Sequence, residues 1–599
     1  MRSSKRNKPF FIFSLATFFL CELICVASAV TFSTSDEAVF SPMSIEMVRS
    51  MRDLRQGTFG APYFIAYRLV KRQGYDISAS FGGVLSESSY NTQILFTEVR
   101  YGDRHLDNTS IQYKGWHSVS PIKGKELREN LWILTDKAYK DAVAGYLEKK
   151  AKRVTEFRKE DLPDFTVETS TQFVETELSP RFDHQKAREI VKQLSLLLRN
   201  YPYIYHGTIS LHLKWSRRYL LTSEGTQIAT PYQNLPSALS VELVSRAKDG
   251  LRVENYRAWV FRDLSDIPSM KDLEVAINQE ALELNRLRKA PLQSPMTAPA
   301  ILDPEMTGVL FHEALGHKLE GERQRDPEQG QIFKGMIGKK IIPSFLSVID
   351  DPTMAFFKKN PLHGHYLIDD EGVPAQRVVL VDHGILKKFL MSRWPLKNFP
   401  HSNGHGRADP DLRPLGRMGN LMVEAQNPVS EKSLEKHLLK LILREHKPYG
   451  FLIVGAFGGD NPTDRSQAQT LQLKPLLVYR ISAKNGEKTL VRGVKIVVTP
   501  LVALNRIVAA SDDETLSNPY FCGAESGWVP VDQIAPSVLV SEIELERLPE
   551  DRLRLPILPS PFSPSVTPAI RKPGSILHAG LDSGFRQNDG AKSYDDLRK

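Results

Sequence analysis

Helical and strand-like patterns of apolar residues alternate along the first half of the chain. Apolar residues at helical spacing predict helices at residues 43–56, 127–157, 187–198 (capped by Asp183) and 273–287. Strict alternation and β-branched or aromatic runs predict strands at residues 63–70, 93–100, 209–215, 240–245 and 251–259. The last two strands flank Lys248-Asp249-Gly250, a hairpin turn signal. No catalytic constellation is evident here, and His206 and His212 are expected in ordinary strand or surface positions.

The second half of the chain is predicted to be richer in strands. Its expected elements are strands at residues 341–349, 376–381 and 385–391 and a helix at 430–444. Residues 291–299 have the proline-rich composition of a linker, and residues 369–374 form an acidic turn. The glycine run at 455–460 indicates either a close approach of the backbone to a neighbour or a simple turn. The predicted fold class is therefore α+β, a mixed N-terminal α/β half followed by a β-rich C-terminal domain.

One stretch in the second half, 311–321, places two imidazoles and a carboxylate within a few residues. Asp303 and Pro304 are suited to begin a helix just before it. His312 and His317 are five residues apart, which leaves them about 140° out of phase on a regular α-helix. Both can bind one ion only if the helix widens into a π turn, a distortion that Gly316 would tolerate. The alternative interpretation is a surface helix with two unrelated histidines.

Both ends of the chain are predicted to lie outside the folded body. Residues 1–29 combine a basic start, an uncharged apolar run and the small-x-small site Ala27-Ser28-Ala29, which is typical of a secretory signal peptide. The protein is therefore expected to be exported, periplasmic or secreted, with an uncleaved N-terminal anchor as the alternative. Residues 551–599 are rich in proline, glycine and serine, and we expect no packed structure there. Between these ends we predict an N-terminal region at 30–295, with a division near 165 left open, and a second domain at 296–550.

Charge and hydropathy exclude two broad classes of function. The formal net charge is +9, but most of it lies in residues 1–29 and 551–599, so the body shows no charge balance that favours nucleic-acid binding. After the signal peptide, no stretch is long and apolar enough to predict an integral membrane segment. The overall composition, with 41% hydrophobic and 25% charged residues, is that of a globular protein.

Cysteine usage adds a constraint. Two of the three cysteines would leave with the signal peptide, so Cys522 would remain alone in an oxidising compartment. Burial, intermolecular pairing, nucleophilic chemistry or metal ligation could each account for it. Two imidazoles and one thiolate, from His312, His317 and Cys522, would make a three-ligand zinc site with a fourth position open, as in catalytic sites.

In such a site Glu313 would act as the general base of amide hydrolysis, because it adjoins a ligand. The competing hypothesis makes Cys522 a nucleophile that a histidine activates. Spacing along the chain does not by itself prove that the three residues share a site, but a glutamate between the two histidines is more typical of hydrolytic metal chemistry and favours the zinc site. A structural zinc site would need a fourth protein ligand, and the sequence leaves His363, His365, His401 and His405 open for that role.

Residues 298–550 resemble the catalytic domain of the TldD/PmbA family of TldD-type metalloproteases. The matching stretches are Gly308-Val309-Leu310-Phe311-His312-Glu313-Ala314-Leu315-Gly316-His317-Lys318-Leu319-Glu320-Gly321, Ile368-Asp369-Asp370-Glu371-Gly372, Gly404-His405-Gly406-Arg407, Pro414-Leu415-Gly416-Arg417-Met418, Cys522-Gly523-Ala524-Glu525 and Val529-Pro530-Val531. The resemblance implies Zn²⁺ held by His312, His317 and Cys522, with Glu313 catalytic.

The resemblance also implies a substrate class and a partner. Family members cut unfolded or extended peptides, which here would lie along the glycine-rich loops as an added strand. The substrate-binding residues so implied are Gly404, Gly406, Arg407 and Arg417. A homodimer, or a heterodimer with a TldE/PmbA-like sister subunit, is expected. The alternative function is a non-catalytic partner subunit of such a complex, with a structural or idle metal site.

Overall fold

The computed structural model describes residues 32–111, 115–119, 124–155, 161–176, 182–231, 236–462, 470–517, 520–548 and 558. The signal peptide predicted at residues 1–29 lies outside the described residues, as does almost all of the tail predicted at 551–599. Within the described residues, no helix combines the length and apolarity that crossing a membrane would require.

The N-terminal half is a sheet with helices packed on it. Its helices are α1 (Thr34–Asp53), α2 (Gly124–Thr155), α3 (His184–Leu196) and α4 (Met270–Lys289). Its strands are β1 (Phe64–Ser80), β2 (Gly83–Arg100), β3 (Trp116–Val119), β4 (Gln172–Val174), β5 (His206–Thr222), β6 (Gln227–Pro231), β7 (Ser237–Arg246) and β8 (Arg252–Phe261). The order is β3-β2-β1-β5-β6-β4, with β7 paired to β5 and β8 to β7. All the helices and strands predicted in this half are present, and most of them are longer than predicted.

Alternation along the two longest strands, β1 and β5, determines what each face of the sheet contacts, because successive side chains point to opposite faces. Odd-numbered residues such as Tyr67 and Tyr219 pack under α1 and α2, and further along, Ile77 and Leu211 pack under α3 and α4. Several even-numbered residues, among them Arg68, Arg218 and Leu220, contact the second half of the chain. The guanidinium group of Arg68 donates to main-chain carbonyls of residues 409–412.

Within the described residues, the C-terminal half contains two larger sheets and three α-helices. The helices are α5 (Pro304–Phe311), α6 (Glu431–Arg444) and α7 (Pro500–Asn505). The strands are β9 (Met296–Leu302), β10 (Leu346–Asp350), β11 (Phe356–Phe357), β12 (Asn360–Pro361), β13 (Val378–Asp382), β14 (Ile385–Leu386), β15 (Gly406–Arg407), β16 (Leu415–Gly416), β17 (Asn420–Ala425), β18 (Tyr449–Asp460), β19 (Leu471–Ser482), β20 (Lys488–Val491), β21 (Val494–Val498), β22 (Ile507–Ala510), β23 (Thr515–Leu516), β24 (Tyr520–Ala524), β25 (Gly527–Ala535) and β26 (Val538–Arg547). The predicted fold class, with a β-rich second half, is confirmed.

One of the two sheets is open, and the strands of the other close into a ring. One has the order β14-β13-β10-β17-β25-β23, with β24 paired to β25. In the other, β18, β9, β26, β21 and β19 pair in a closed ring, because β18 bonds both β9 and β19. Helix α5 lies between them and packs against both β18 and β25. Helix α5, which leads into the histidine motif, is therefore held between the two sheets.

Three local predictions for this half are wrong, and two of them fail because of a tertiary contact. Pro299, predicted in a linker, lies inside β9, which pairs with β18 and β26. The strand predicted at 385–391 ends at Leu386, and the backbone of Leu390 instead bonds Leu319 and Gly321, just after the histidine motif. The strand predicted at 341–349 begins only at Leu346.

Candidate metal centre

Helix α5 forms as its sequence predicts and then changes its hydrogen bonding. Asp303 caps it by accepting a hydrogen bond from the Met306 amide at 2.8 Å, and Pro304 occupies the first turn. Residues His312–Gly316 continue as a π turn, in which the amide of His317 donates to the His312 carbonyl. The widened turn brings the His312 and His317 rings to a centroid distance of 4.9 Å at 85°. The predicted π turn is confirmed.

Gly316 has a different role from the one predicted. Its backbone angles are helical and would suit any residue. A methyl group added there would lie 2.1 Å from Sδ of Met418. Gly316 is therefore needed for close packing of the motif against the chain that follows β16.

Cys522 lies close to both histidines, although it belongs to a different part of the chain. It lies on β24, more than 200 residues further along, and its Sγ is 3.3 Å from Nε2 of His317. The ligand atoms of His312, His317 and Cys522 all lie within 4.8 Å of one another, and all three residues are buried. Two ligands on one tetrahedral zinc ion are roughly 3.5 Å apart, so the donor types fit a zinc ion and the separation of Cys522 and His317 is that of two such ligands.

A second layer of charged groups surrounds this trio. Glu320 accepts from Nδ1 of His317 at 2.9 Å, which leaves Nε2 facing Cys522. Arg417 donates to Sγ of Cys522 at 3.0 Å, and its Nε lies 3.4 Å from Glu320. Arg323 donates to Glu320 at 2.6 Å and forms a two-bond ion pair with Glu525. Metal-binding histidines typically have such a hydrogen-bonded partner on the other ring nitrogen.

These charges alter the ionisation of the candidate ligands. Burial raises the pKa of the Cys522 thiol, but Arg417 and His317 outweigh burial and hold that pKa well below its ordinary value. Burial lowers the pKa of His317, but Cys522 and Glu320 raise it to about 10. The surroundings thus favour the thiolate, which is the form of cysteine that binds metals.

Glu313 lies in the π turn next to His312 and is 5% exposed. Its main-chain carbonyl accepts from Nδ2 of Asn461 at 2.6 Å. Its side chain packs on Gly459, where a methyl group would come within 2.6 Å of its Cγ. The glycine run at 455–460 therefore allows a close approach, but within strand β18 and not in a turn.

The predicted substrate-binding residues fall into two groups. Arg417 is fully buried beside Cys522 and is thus placed at the candidate metal ligands, away from any open surface. Gly404, Gly406 and Arg407 lie by the acidic turn: the Gly406 amide donates to Asp369 at 2.9 Å, and a methyl at Gly404 would lie 2.2 Å from a carbonyl oxygen of Pro374. Arg407 lines a pocket between the halves and donates to the Pro530 carbonyl. A role of these residues in substrate binding stays a prediction.

The other histidines left open by the sequence lie elsewhere. Among the residues that the structure describes, the metal-binding group contains none of His363, His365, His401 and His405. His405 is fully buried and faces Asp350 at 3.1 Å, and His365 bonds the Pro352 carbonyl. A fourth protein ligand from this set is therefore not found at the site.

Three charged residues of the site were missed by sequence reasoning: Glu320, Arg323 and Glu525. Glu320 follows His317 by three residues, and that helical spacing is the signal that could have identified it. Arg323 and Glu525 are paired across about 200 residues, and spacing along the chain carries no information on such a pair.

Comparison with known proteins identifies the second half of the chain. Residues 295–547 match the family model of the PmbA/TldA metallopeptidase C-terminal domain. A metalloprotease of Archaeoglobus fulgidus is 30% identical over 241 residues, which cover 40% of this chain and 51% of the relative. A zinc metalloprotease TldD homolog of Saccharolobus solfataricus is 26% identical over 61% of this chain and 76% of the relative. The chain thus spans about half the length of the first of these curated relatives.

A solved structure extends the likeness beyond this domain. TldE from Thermococcus kodakarensis superposes with a TM-score of 0.52 at 15% identity, over 81% of this chain and 97% of that one. This likeness covers both halves, including the N-terminal sheet that the family model does not match. Residues 295–547 are therefore matched to the C-terminal domain of the PmbA/TldA metallopeptidases, and the fold of the chain is similar to that of TldE.

Proposed function

We propose that this chain is a zinc-dependent peptidase that hydrolyses peptide bonds of unfolded or extended polypeptides, with Glu313 as the general base. The observation that carries the proposal is the convergence of His312, His317 and Cys522 within 4.8 Å, with Glu313 in the same π turn. Relatives named as metalloproteases support the reaction class.

Each residue has a distinct role in this proposal. Zinc held by the three ligands would supply a Lewis acid and lower the pKa of a bound water. The Glu313 carboxylate takes up a proton and later delivers it to the leaving amine. Contact with Gly459 on β18 restricts where that carboxylate can lie. Glu320 holds the Nδ1 proton of His317, which keeps Nε2 available as a ligand.

The alternative function, a non-catalytic partner subunit, fits these observations less well. A structural zinc site would be closed by four protein ligands, whereas the group formed by the described residues contains three. Glu313 is also retained beside the ligands, where a purely structural site would have no use for it. As part of the proposal, the chain is exported and works as a homodimer or with a sister subunit similar to TldE.

The test is a joint measurement of zinc content and cleavage of an unfolded polypeptide by residues 30–599. The variants are Glu313→Gln, which keeps the shape of the side chain, and Glu435→Gln, a control at an exposed carboxylate on α6. We expect one zinc per chain in all three proteins. We expect the wild type and Glu435→Gln to cleave the polypeptide at similar rates. We expect the cleavage rate of Glu313→Gln to be lower by a factor of at least about a hundred.

Each other outcome contradicts a specific part of the proposal. A chain that binds no zinc would overturn the metal site. Cleavage undiminished in Glu313→Gln would remove Glu313 as the base. Zinc without cleavage, in the wild type alone and after addition of a sister subunit, would favour the non-catalytic function.

A further inference from the structure

Arg417 joins the two strands of the β24–β25 hairpin, which carries Cys522 on β24. It follows β16, is fully buried, and directs its guanidinium group at the β24–β25 hairpin. Nη1 donates to Oγ of Ser526 and to the carbonyl of Gly527, each at 2.9 Å. Nη2 donates to the carbonyl and to Sγ of Cys522. One side chain therefore holds the hairpin turn and the candidate ligand together.

The same guanidinium group is linked to the histidine motif through alternating charges. Its Nε lies 3.4 Å from Oε1 of Glu320, and that same oxygen accepts from Nδ1 of His317. Glu320 also pairs with Arg323, and Arg323 pairs with Glu525, three residues after Cys522. This series of contacts begins and ends on the hairpin, so Cys522 and His317 are both held by the same group of charged residues.

Buried charges in this arrangement require partners. Removing one member of a buried ion pair leaves an uncompensated charge and is strongly destabilising. Arg417 also faces a sulfur, and hydrogen bonds to an ionised acceptor are about twice as strong as those between neutral groups. A hydrogen bond to a thiolate withdraws electron density from the sulfur, so it alters how strongly that sulfur donates to a metal.

We propose that Arg417 is a positioning residue of the metal centre, which fixes the Cys522 sulfur toward the two imidazoles and balances its negative charge. The proposal rests on the proposed function, because it requires Cys522 to be a metal ligand. It assigns to Arg417 a role at the metal, in place of the substrate contact that the sequence predicts. It is independent of the substrate and of whether a sister subunit is needed.

The experiment uses cobalt(II) in place of zinc, since a cobalt–thiolate bond gives a charge-transfer band in the near ultraviolet. The proteins are the wild type, Arg417→Gln, Arg417→Lys, Cys522→Ser, and Arg218→Lys as the control. Like Arg417, Arg218 is buried and paired with a carboxylate, which in its case is that of Asp370. Unlike Arg417, it lies at the junction between the halves. Retention of zinc against a chelator is measured in parallel.

We expect the band in the wild type, its loss in Cys522→Ser, and a shift to longer wavelength in Arg417→Gln, because a sulfur without that hydrogen bond gives up an electron more easily. Arg417→Lys keeps the positive charge but lacks the planar guanidinium group with its several donors, so an intermediate shift is expected. Zinc affinity should fall about 10- to 100-fold in both Arg417 variants. Arg218→Lys should change neither band nor affinity, whatever it does to stability.

Failure of this proposal is distinguishable from failure of the proposed function. A wild-type band that is unmoved in Arg417→Lys, or in Arg417→Gln if that variant folds, would overturn the role of Arg417 and leave the zinc site standing. A wild type without any thiolate band would remove Cys522 from the site, and the proposed function would fall with it. Equal shifts in Arg218→Lys would reduce the effect of Arg417 to general destabilisation and overturn the assignment.

Discussion

The α-carbon of Gly459 lies against the side chain of Glu313. A methyl group at position 459 would be 2.6 Å from Cγ and 3.2 Å from Cδ of that glutamate. Because Gly459 is in β18 and Glu313 is in the π turn, this contact joins one sheet directly to the candidate catalytic carboxyl group. The position of Glu313 is therefore set by the sheet as well as by its own turn.

Gly459→Ala is expected to displace Glu313 without removing a metal ligand. A displacement of about 1 Å at a catalytic group can lower the rate about a hundredfold. We expect kcat/KM for an unfolded polypeptide to fall by about that factor while zinc content is unchanged. Gly60→Ala is the control, because nothing lies within 4 Å of a methyl group at that position. Full activity in Gly459→Ala would show that the contact does not constrain the base.

The local parts of the site follow from the sequence. Asp303 and Pro304 predict the capped start of the helix, and the five-residue spacing of His312 and His317 predicts a π turn on the condition that both bind one ion, because each of these effects acts within one or two helical turns. The meeting of this turn with Cys522 is different. It depends on β24 pairing with β25 across the second sheet, and no periodicity along the chain encodes that distance.

The glycines around the site show the same limit of prediction from sequence. The sequence marks positions 316, 404, 406 and 459 as special, but it does not state what comes close to each. The structure supplies the neighbours, which are Met418, a carbonyl of Pro374, the Glu371 carboxyl group and Glu313. A missing side chain is visible in a sequence, whereas the atom that fills its space is a property of the tertiary fold.

Gly316→Ala tests whether packing against Met418 fixes the π turn. Alanine is the better helix former, so intrinsic propensity alone would stabilise the variant by up to about 1 kcal/mol. The methyl group would lie 2.1 Å from Sδ of Met418, and such overpacking typically costs about 1–3 kcal/mol. We expect a net loss of stability in denaturant unfolding. The loss should shrink or reverse in a Met418→Ala background, and an equal loss there would contradict the packing explanation.

Glu320→Gln tests the partner of His317. Glutamine keeps the size of the side chain but removes the charge that faces Arg323 and Arg417. Loss of such a partner typically weakens metal affinity about 10- to 100-fold. Zinc competition with a chelator should show this loss, with Glu435→Gln unchanged. An affinity equal to that of the wild type would mean that the carboxylate does not orient His317.

Glu322→Gln tests a buried carboxyl group in the segment just after the histidine motif. Burial, assisted by Glu320, raises the pKa of Glu322 to about 8. An unfolded glutamate has a pKa of about 4.3, so between these values the folded state holds a proton that the unfolded state has lost. The stability contributed by that proton is complete below about pH 4 and is lost as the pH rises through about 8. The wild type should therefore weaken relative to Glu322→Gln as the pH increases.

The measurement is the free energy of unfolding of both proteins at several values between pH 6 and pH 9, with Glu435→Gln as a control for the loss of one carboxylate. The difference between wild type and Glu322→Gln should change in favour of the variant up to about pH 8 and level off above it, because glutamine does not titrate. A difference that is independent of pH would show that Glu322 is ionised in the folded protein throughout. In that case the carboxylate would need a positive partner, and Arg323, the adjacent residue, is the first candidate.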